Sequence, residues 1–117
     1  MAPDSIKTLT DQVVSFRDAR DWKQFHNLKD MALSLMLEAA ELGELFQWTK
    51  DDELVTRAKA KHEELSHELS DVLYWVLLLA HDLEIDLAQA FQSKMKQNEA
   101  KYPVETAKGS AKKYSEL

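Results

Sequence analysis

Apolar residues recur every three or four positions along most of the chain, which is the spacing of one face of an α-helix. The first periodic run has its apolar positions at Ile6, Leu9, Val13 and Phe16. Asp4 or Ser5 precedes the run as a capping residue, and the period fades near Asp21. The pattern predicts a first helix between these points.

Two longer runs follow. Asn27 can cap a second helix that continues to about Trp48. After the polar segment 49–52, a third helical pattern extends to about Leu83. Its apolar residues between Val72 and Ala80 cover every direction of the helical wheel, so we expect this helix to be buried on all sides.

A fourth helix is predicted from Asp86, a capping residue, to the residue before Pro103, since proline cannot continue a helix. The stretch 103–117 sustains no apolar period and is predicted to be a flexible tail. Only two Gly and two Pro occur in 117 residues, too few for many strands and hairpins. The chain is therefore predicted to be one all-α domain over 1–117, a four-helix bundle.

Two pairs of carboxylates lie on the apolar faces of the second and third helices. On a helical wheel Glu41 lies about 60° from Glu38, within the stripe of core positions, and Asp71 stands in the same relation to Glu68. Burying a bare carboxylate is costly, whereas carboxylate oxygens suit Mg²⁺. The four residues predict a divalent-metal site, expected to hold more than one ion.

The composition narrows the chemistry. The chain has no Cys, so catalysis would rely on carboxylates, His, Lys or hydroxyls. A formal net charge of −6 argues against nucleic acid as a partner. The N-terminal residues lack an apolar core of the signal-peptide type, and the run at 72–80 is about half a membrane span. We expect a soluble, cytoplasmic protein that binds no membrane.

Several segments, in this order and spacing, resemble one family. EAAE at 38–41 and ELSD at 68–71 are similar to the paired acidic motifs of the all-α, MazG-like nucleoside triphosphate pyrophosphatases. Further segments are similar to the dCTP pyrophosphatase branch: DWKQFH at 21–26, GELFQW at 43–48, SKMKQNEAKYP at 93–103 and KKYSEL at 112–117. The resemblance covers about residues 18–117.

The resemblance implies a Mg²⁺-dependent hydrolase that converts a nucleoside triphosphate, such as dCTP, into the monophosphate and pyrophosphate, in a nucleotide-pool house-cleaning role. It implies that the Mg²⁺ ligands are Glu38, Glu41, Glu68 and Asp71, with Glu44 as an auxiliary acid. One carboxylate, Glu41 or Glu38, would orient the water that attacks the α-phosphorus. The implied nucleoside pocket consists of Trp22, His26, Trp48 and Trp75.

Phosphate or sugar contacts are implied for Lys94, Asn98, Lys101 and Tyr102. The first three also recur at helical spacing and share one face of the fourth helix, as a polyphosphate track requires. The tail is locally basic between 101 and 114, and we expect it to fold over the triphosphate. A solubilising tail is the alternative.

Two other functions fit parts of the pattern. A di-iron bundle uses inward glutamates, but it needs two E-x-x-H motifs and the chain has only Glu64 to His67. A non-catalytic helical module that binds nucleotides or a partner would keep the acidic pairs without turnover. An assay of metal-dependent hydrolysis separates these alternatives.

Surplus apolar surface predicts assembly. A single chain is expected to leave Tyr74, Leu77 or Leu78 in water. On the second helix, apolar residues lie largely opposite the acidic stripe, at Leu33, Met36, Leu37 and Ala40. A symmetric homo-oligomer covers both surfaces. The resemblance implies a dimer of dimers, and we predict a homotetramer with active sites near the subunit boundaries.

Overall fold

The computed structural model describes residues 5–117, and within this range every regular element is helical, which confirms the all-α prediction. The α-helices are α1 at Ile6–Ala19, α2 at Leu28–Glu44, α3 at Leu54–Ala60, α4 at His62–Asp82, α5 at Leu87–Lys101 and α6 at Val104–Ala107. Short 3₁₀ turns lie at Lys23–Phe25, Asp51–Glu53 and Tyr114–Glu116.

Side chains cap three of the helices where the sequence predicted them to begin. Ser5, Asn27 and Asp86 each accept a hydrogen bond from the backbone N–H three residues further on, at 3.1, 2.8 and 3.1 Å. Each bond satisfies an N–H that has no partner within its helix. Asp4, the alternative first cap, lies outside the described residues.

The second and third helices differ from the prediction. Helix α2 ends at Glu44 rather than near Trp48, because the N–H groups of Leu45 and Phe46 bond to carbonyls only three residues back and Trp48 adopts a left-handed φ of 68°. The third pattern is divided at Lys61, whose φ and ψ of −106° and 20° leave the helical range. Arg57 Nε donates to the Leu45 carbonyl at 2.8 Å and thereby ties α3 to the end of α2.

The core lies where α4 packs against α1 and α2. Its most buried apolar side chains are Met31, Leu77, Leu78 and Ala80. The expectation that Leu77 or Leu78 faces water in a single chain is wrong, since they are 2% and 0% exposed. Two helices pack on α4, so more of its surface is covered than the wheel alone suggested.

Large apolar side chains nevertheless remain exposed on α2 and on the first half of α4. They are Leu33, Met36 and Leu37 on α2 and Leu69 and Leu73 on α4. Met36 and Leu37 are each 65% exposed. This surface is the basis for the predicted assembly, which stays a prediction.

The chain divides into two compact units, one ending at Glu84 and the other spanning Ile85–Leu117. In the second unit, Gly109 adopts a φ of 79°, a left-handed conformation that glycine accepts readily. Beyond it, Tyr114 packs edge-to-face on Tyr102 with ring centroids 6.0 Å apart, and Lys101 Nζ lies 4.8 Å above the Tyr114 ring. Among the described helices, none has the length and apolar character needed to cross a membrane.

Candidate active site

Three carboxylates converge where α2 and α4 pack together. Glu38 and Glu41 on α2 and Glu68 on α4 each offer an oxygen, and the three oxygens lie within 4.8 Å of one another. Glu38 and Glu68 are half-buried, and the Oε2 atom of each is buried without a hydrogen-bond partner. Between residues 5 and 117, no Lys, Arg or His forms an ion pair with any of them.

The pKa values of two of these groups show the cost of this arrangement. Burial, and after it the nearby Glu41, raise the pKa of Glu38 from its ordinary value of 4.5 to about 7. The same two causes raise the pKa of Glu68. Both carboxyls therefore resist ionisation in the absence of a cation. Hard oxygen donors with unpaired buried atoms fit a divalent cation such as Mg²⁺.

Asp71 and Glu44 stand apart from this trio. Asp71, one turn after Glu68, is exposed and is not among the three converging oxygens. Its charge still contributes to the raised pKa of Glu38, and both residues line one cavity. Glu44 is exposed and lines a different depression near the end of α2. The structure thus brings Asp71 next to the trio and leaves Glu44 outside it.

A cavity of about 490 Å³ adjoins the carboxylates. Three of the predicted nucleoside-binding residues line it: Trp22, His26 and Trp75. Glu38 and Asp71 line it as well, so two of the predicted metal ligands and three of the predicted aromatic residues share one space. The cavity has the mixture of apolar walls and few polar groups that is typical of small-molecule sites.

Four further lining residues were not predicted for the site: Gln12, Val13, Phe16 and Tyr74. The sequence assigned Val13 and Phe16 to the apolar stripe of the first helix and Tyr74 to a surface that an assembly would cover. Their spacing is that of ordinary core residues, so it carried no signal for a pocket. Only the packing of α1 on α4 shows that their side chains border an opening.

Edge-to-face contacts connect the aromatic walls. Phe16 contacts Trp22 and Tyr74 with ring centroids 5.6 and 6.1 Å apart. Trp75 contacts Tyr74 at 5.0 Å and His26 at 5.2 Å. Such contacts fix the orientation of the rings relative to one another.

Trp22 reaches the cavity through a sharp turn after α1. Asp21 adopts a φ of 52°, and the Trp22 N–H donates to the Arg17 carbonyl at 3.1 Å. The Arg20 guanidinium lies 3.8 Å above the Phe16 ring and 5.9 Å from Trp22, a cation–π arrangement that supports this wall.

His26 is the one imidazole that lines the cavity. Its Nδ1 atom is buried without a hydrogen-bond partner among the described residues. Burial, followed by the positive charge of Arg17, lowers its pKa. A neutral imidazole offers one donor and one acceptor, which suits it to the polar edge of a base.

The remaining predicted residues lie elsewhere. Trp48 is 91% exposed and lines a separate cavity of about 600 Å³ with residues of α3, so the structure does not bring it to the other aromatics. The predicted phosphate contacts are all in the second unit: Lys94, Asn98, Lys101 and Tyr102. Their approach to the carboxylates stays a prediction.

The E-x-x-H pair considered for a di-iron site is also separate from the carboxylate trio. Glu64 pairs with Lys61 at 3.2 Å, and both Glu64 and His67 are exposed. Neither belongs to the group of converging oxygens.

Comparison with known proteins identifies the family. A profile of the MazG-like family matches residues 33–117, and the chain belongs to this family. It is 45% identical over 104 residues to dCTP pyrophosphatase 1 of Mus musculus, covering 87% of this chain and 61% of that protein. Its identity to dCTP pyrophosphatase 1 of Bos taurus is 43% over 104 residues, covering 87% and 62%. The chain spans about three fifths of the length of these curated relatives.

A solved structure has the same fold. A pyrophosphatase from Archaeoglobus fulgidus aligns with a TM-score of 0.80 and 39% sequence identity, covering 84% of this chain and 92% of that one.

Proposed function

We propose that the chain is a Mg²⁺-dependent nucleoside triphosphate pyrophosphohydrolase that prefers dCTP and releases dCMP and pyrophosphate. One observation carries this proposal: Glu38 belongs both to the carboxylate trio and to the lining of the aromatic cavity. A nucleoside held in that cavity would have its phosphates next to the candidate metal ligands. The relatives named dCTP pyrophosphatase 1 support the choice of substrate.

The residues that would hold Mg²⁺ are Glu38, Glu41, Glu68 and Asp71. When bound, the ion would neutralise phosphate charge and lower the pKa of a water molecule. One carboxylate, Glu41 or Glu38, accepts a proton from the attacking water. The water oxygen forms a bond to the α-phosphorus, the bond to the oxygen that bridges the α- and β-phosphorus breaks, and pyrophosphate leaves with that oxygen. No side chain forms a covalent intermediate.

The aromatic cavity binds the nucleoside. Trp22 and Trp75 supply faces and edges that stack on a base and exclude water around it. His26, neutral at physiological pH because of its lowered pKa, forms a hydrogen bond with the base edge. These contacts suit a flat base, and the names of the relatives support cytosine as that base.

The active form is a homotetramer, built as a dimer of dimers, in which Trp48 completes the pocket of a neighbouring subunit. Two features support this. A bulky residue at a φ of 68° stores strain, and strain of this kind is typical of functional positions. The exposed apolar residues on α2 and α4 provide a surface for association, because patches of this kind are usually covered by a partner.

The second unit supplies phosphate contacts through Lys94, Asn98, Lys101 and Tyr102. Tyr114 packs on Tyr102 and under Lys101, which makes the C-terminal residues a support for two of these side chains. The basic tail closes over the triphosphate as substrate arrives. The physiological role is cleansing of the cytoplasmic nucleotide pool.

Pyrophosphate release from a panel of ribo- and deoxynucleoside triphosphates tests the proposal. We expect turnover with Mg²⁺, none with EDTA, and the highest kcat/KM for dCTP. Tight dCTP binding without pyrophosphate release at any pH between 6 and 9 would instead identify a non-catalytic nucleotide-binding module.

A further inference from the structure

A largely buried ion pair joins the ends of two helices that form the aromatic cavity. Arg17, in the last turn of α1, is 1% exposed. Its two terminal nitrogens donate to the two carboxylate oxygens of Asp82, the last residue of α4, at 2.8 and 2.9 Å. The Asp82 side chain is 12% exposed. A planar fork of this kind fixes both distance and direction.

Stability alone is a weak reason for such a pair. Desolvation of two charges offsets most of their attraction, and apolar replacements of similar volume are often equally stable. What an apolar pair lacks is the direction imposed by two parallel hydrogen bonds. The ion pair is therefore suited to holding α1 and α4 at a defined spacing.

Both partners are directly connected to the cavity walls. Arg17 follows Phe16, and its carbonyl oxygen accepts the N–H bond that holds Trp22. Asp82 comes seven residues after Trp75, about two turns further along the same face of α4. Neither Arg17 nor Asp82 lines the cavity or belongs to the carboxylate trio.

A second connection runs from Arg17 to His26. The Arg17 charge contributes, after burial, to the lowered pKa of His26. Asp82 opposes this shift. The ion pair is thus connected to three residues that line the cavity, Trp22, Trp75 and His26, although it does not line the cavity itself.

We propose that Arg17 and Asp82 are positioning residues, which set the spacing between the α1 and α4 walls and thereby the affinity and base selectivity of the nucleotide site. This role rests on the proposed function. Because the pair acts on the aromatic walls, its loss raises KM and reduces discrimination between bases. The turnover number at saturating substrate changes little, since the carboxylates remain in place.

The test compares Arg17→Met with the double variant Arg17→Met/Asp82→Leu. The single variant leaves the largely buried Asp82 unpaired, so we expect it to lose thermal stability as well as affinity. The double variant removes both charges and is expected to recover stability. Its KM for dCTP should remain raised by about tenfold, because weakened stacking of the base on the displaced aromatic walls has an effect of this size. The ratio of kcat/KM for dCTP to that for dTTP should fall.

Lys7→Met/Asp11→Leu is the matched control. This ion pair also lies on α1, at 2.9 Å, but its side chains are 69% and 61% exposed. We expect its KM and base selectivity to equal those of the wild type. If the double variant fails to fold, Asp82→Asn takes its place in the test. This variant keeps the volume and a carbonyl acceptor for Arg17, so its KM should lie between that of the wild type and the roughly tenfold higher value expected of the double variant.

The positioning role would be overturned if the folded double variant had the KM and base selectivity of the wild type. If the double variant does not fold, the same result for Asp82→Asn would overturn it. Calorimetric binding of dCTP in EDTA, where no turnover is expected, separates this result from failure of the proposed reaction. Wild-type binding without hydrolysis would contradict the reaction alone. Unchanged affinity in the variants would contradict the positioning role alone.

Discussion

Glu38 on α2 and Glu68 on α4 lie with carboxylate oxygens within 4.8 Å of each other, and each has a buried Oε2 atom that no described group bonds. Two like charges in this position repel each other and are poorly solvated. A protein keeps such an arrangement at a cost in stability, which a bound cation removes. The first two predictions concern this acidic cluster and the neighbouring Asp71.

Removal of one ligand should abolish activity without unfolding the chain. We expect Glu38→Gln or Asp71→Asn to lower kcat by about 100-fold or more, since the loss of even an outer partner of a metal site costs 10- to 100-fold. Circular dichroism should show the same helical content. Glu63→Gln, an exposed acid at the start of α4, is the control and should retain full activity. Near-normal turnover in either ligand variant would remove that residue from the metal site.

The raised pKa of Glu38 predicts how the stability of the metal-free chain depends on pH. Its folded pKa of about 7 exceeds its ordinary value of 4.5, so the stability that it contributes is full below 4.5 and is lost as the pH rises through 7. The Tm of the wild type relative to Glu38→Gln should therefore fall between pH 5 and pH 8. Addition of Mg²⁺ at pH 8 should raise the Tm of the wild type more than that of the variant. A constant difference in Tm across this range would refute the assignment.

Trp22 should stack on or enclose the base. Trp22→Ala is expected to weaken dCTP binding by about 1–3 kcal/mol, the usual cost of losing one base–aromatic contact. Phe25→Ala is the control, because Phe25 is 68% exposed in the adjoining turn and does not line the cavity. Calorimetry would measure both. Equal dCTP affinity in the two variants would place the base elsewhere.

Trp48 distinguishes a shared site from a site within one chain. Trp48→Ala and Glu38→Gln should each impair hydrolysis, yet their equimolar mixture should regain about a quarter of wild-type activity if dimers form at random and Trp48 serves its partner's site. In a mixed dimer, one pocket has an intact Glu38 and receives Trp48 from the other subunit. Activity no higher than the sum of the two variants would assign Trp48 to its own chain. Light scattering should give a tetrameric mass; the mass of a single chain would rule out assembly.

The tail prediction can be tested at one contact. Tyr114 packs on Tyr102 and lies under Lys101, so Tyr114→Ala should free both side chains. We expect a higher KM for dCTP with little change in Tm, and a similar KM when the chain is truncated after Tyr102, which is retained. A KM equal to that of the wild type in both chains would favour a solubilising tail.

The sequence predicted the helices well where local chemistry decides them. Ser5, Asn27 and Asp86 have short polar side chains that bond to the first turn, and these bonds depend on neighbouring residues alone. The break at Lys61 was missed because the apolar period continues through it, so the pattern carried no signal for the non-helical φ and ψ of this residue. Leu77 and Leu78 were misplaced for a similar reason, since a helical wheel does not show how many helices pack around it.

In the candidate site, too, the sequence predicted what depends on local spacing and missed what depends on contacts between distant residues. The i, i+3 spacing of Glu38 and Glu41 placed both carboxylates on one face, and the packing of α2 on α4 brings Glu68 to them. Asp71 lies next to the trio without joining it, and helical periodicity alone does not distinguish its position from that of Glu41, which is likewise exposed but belongs to the trio. The Arg17–Asp82 pair joins residues 65 positions apart, and nothing in the local sequence links them.

Hydrolysis of dCTP in ¹⁸O-labelled water tests the central claim most directly. Attack of water on the α-phosphorus predicts one ¹⁸O atom in dCMP and unlabelled pyrophosphate, formed only when Mg²⁺ is present. Mass spectrometry of the products measures both. Label in pyrophosphate, or dCDP and inorganic phosphate as products, would contradict the proposed pyrophosphohydrolase reaction.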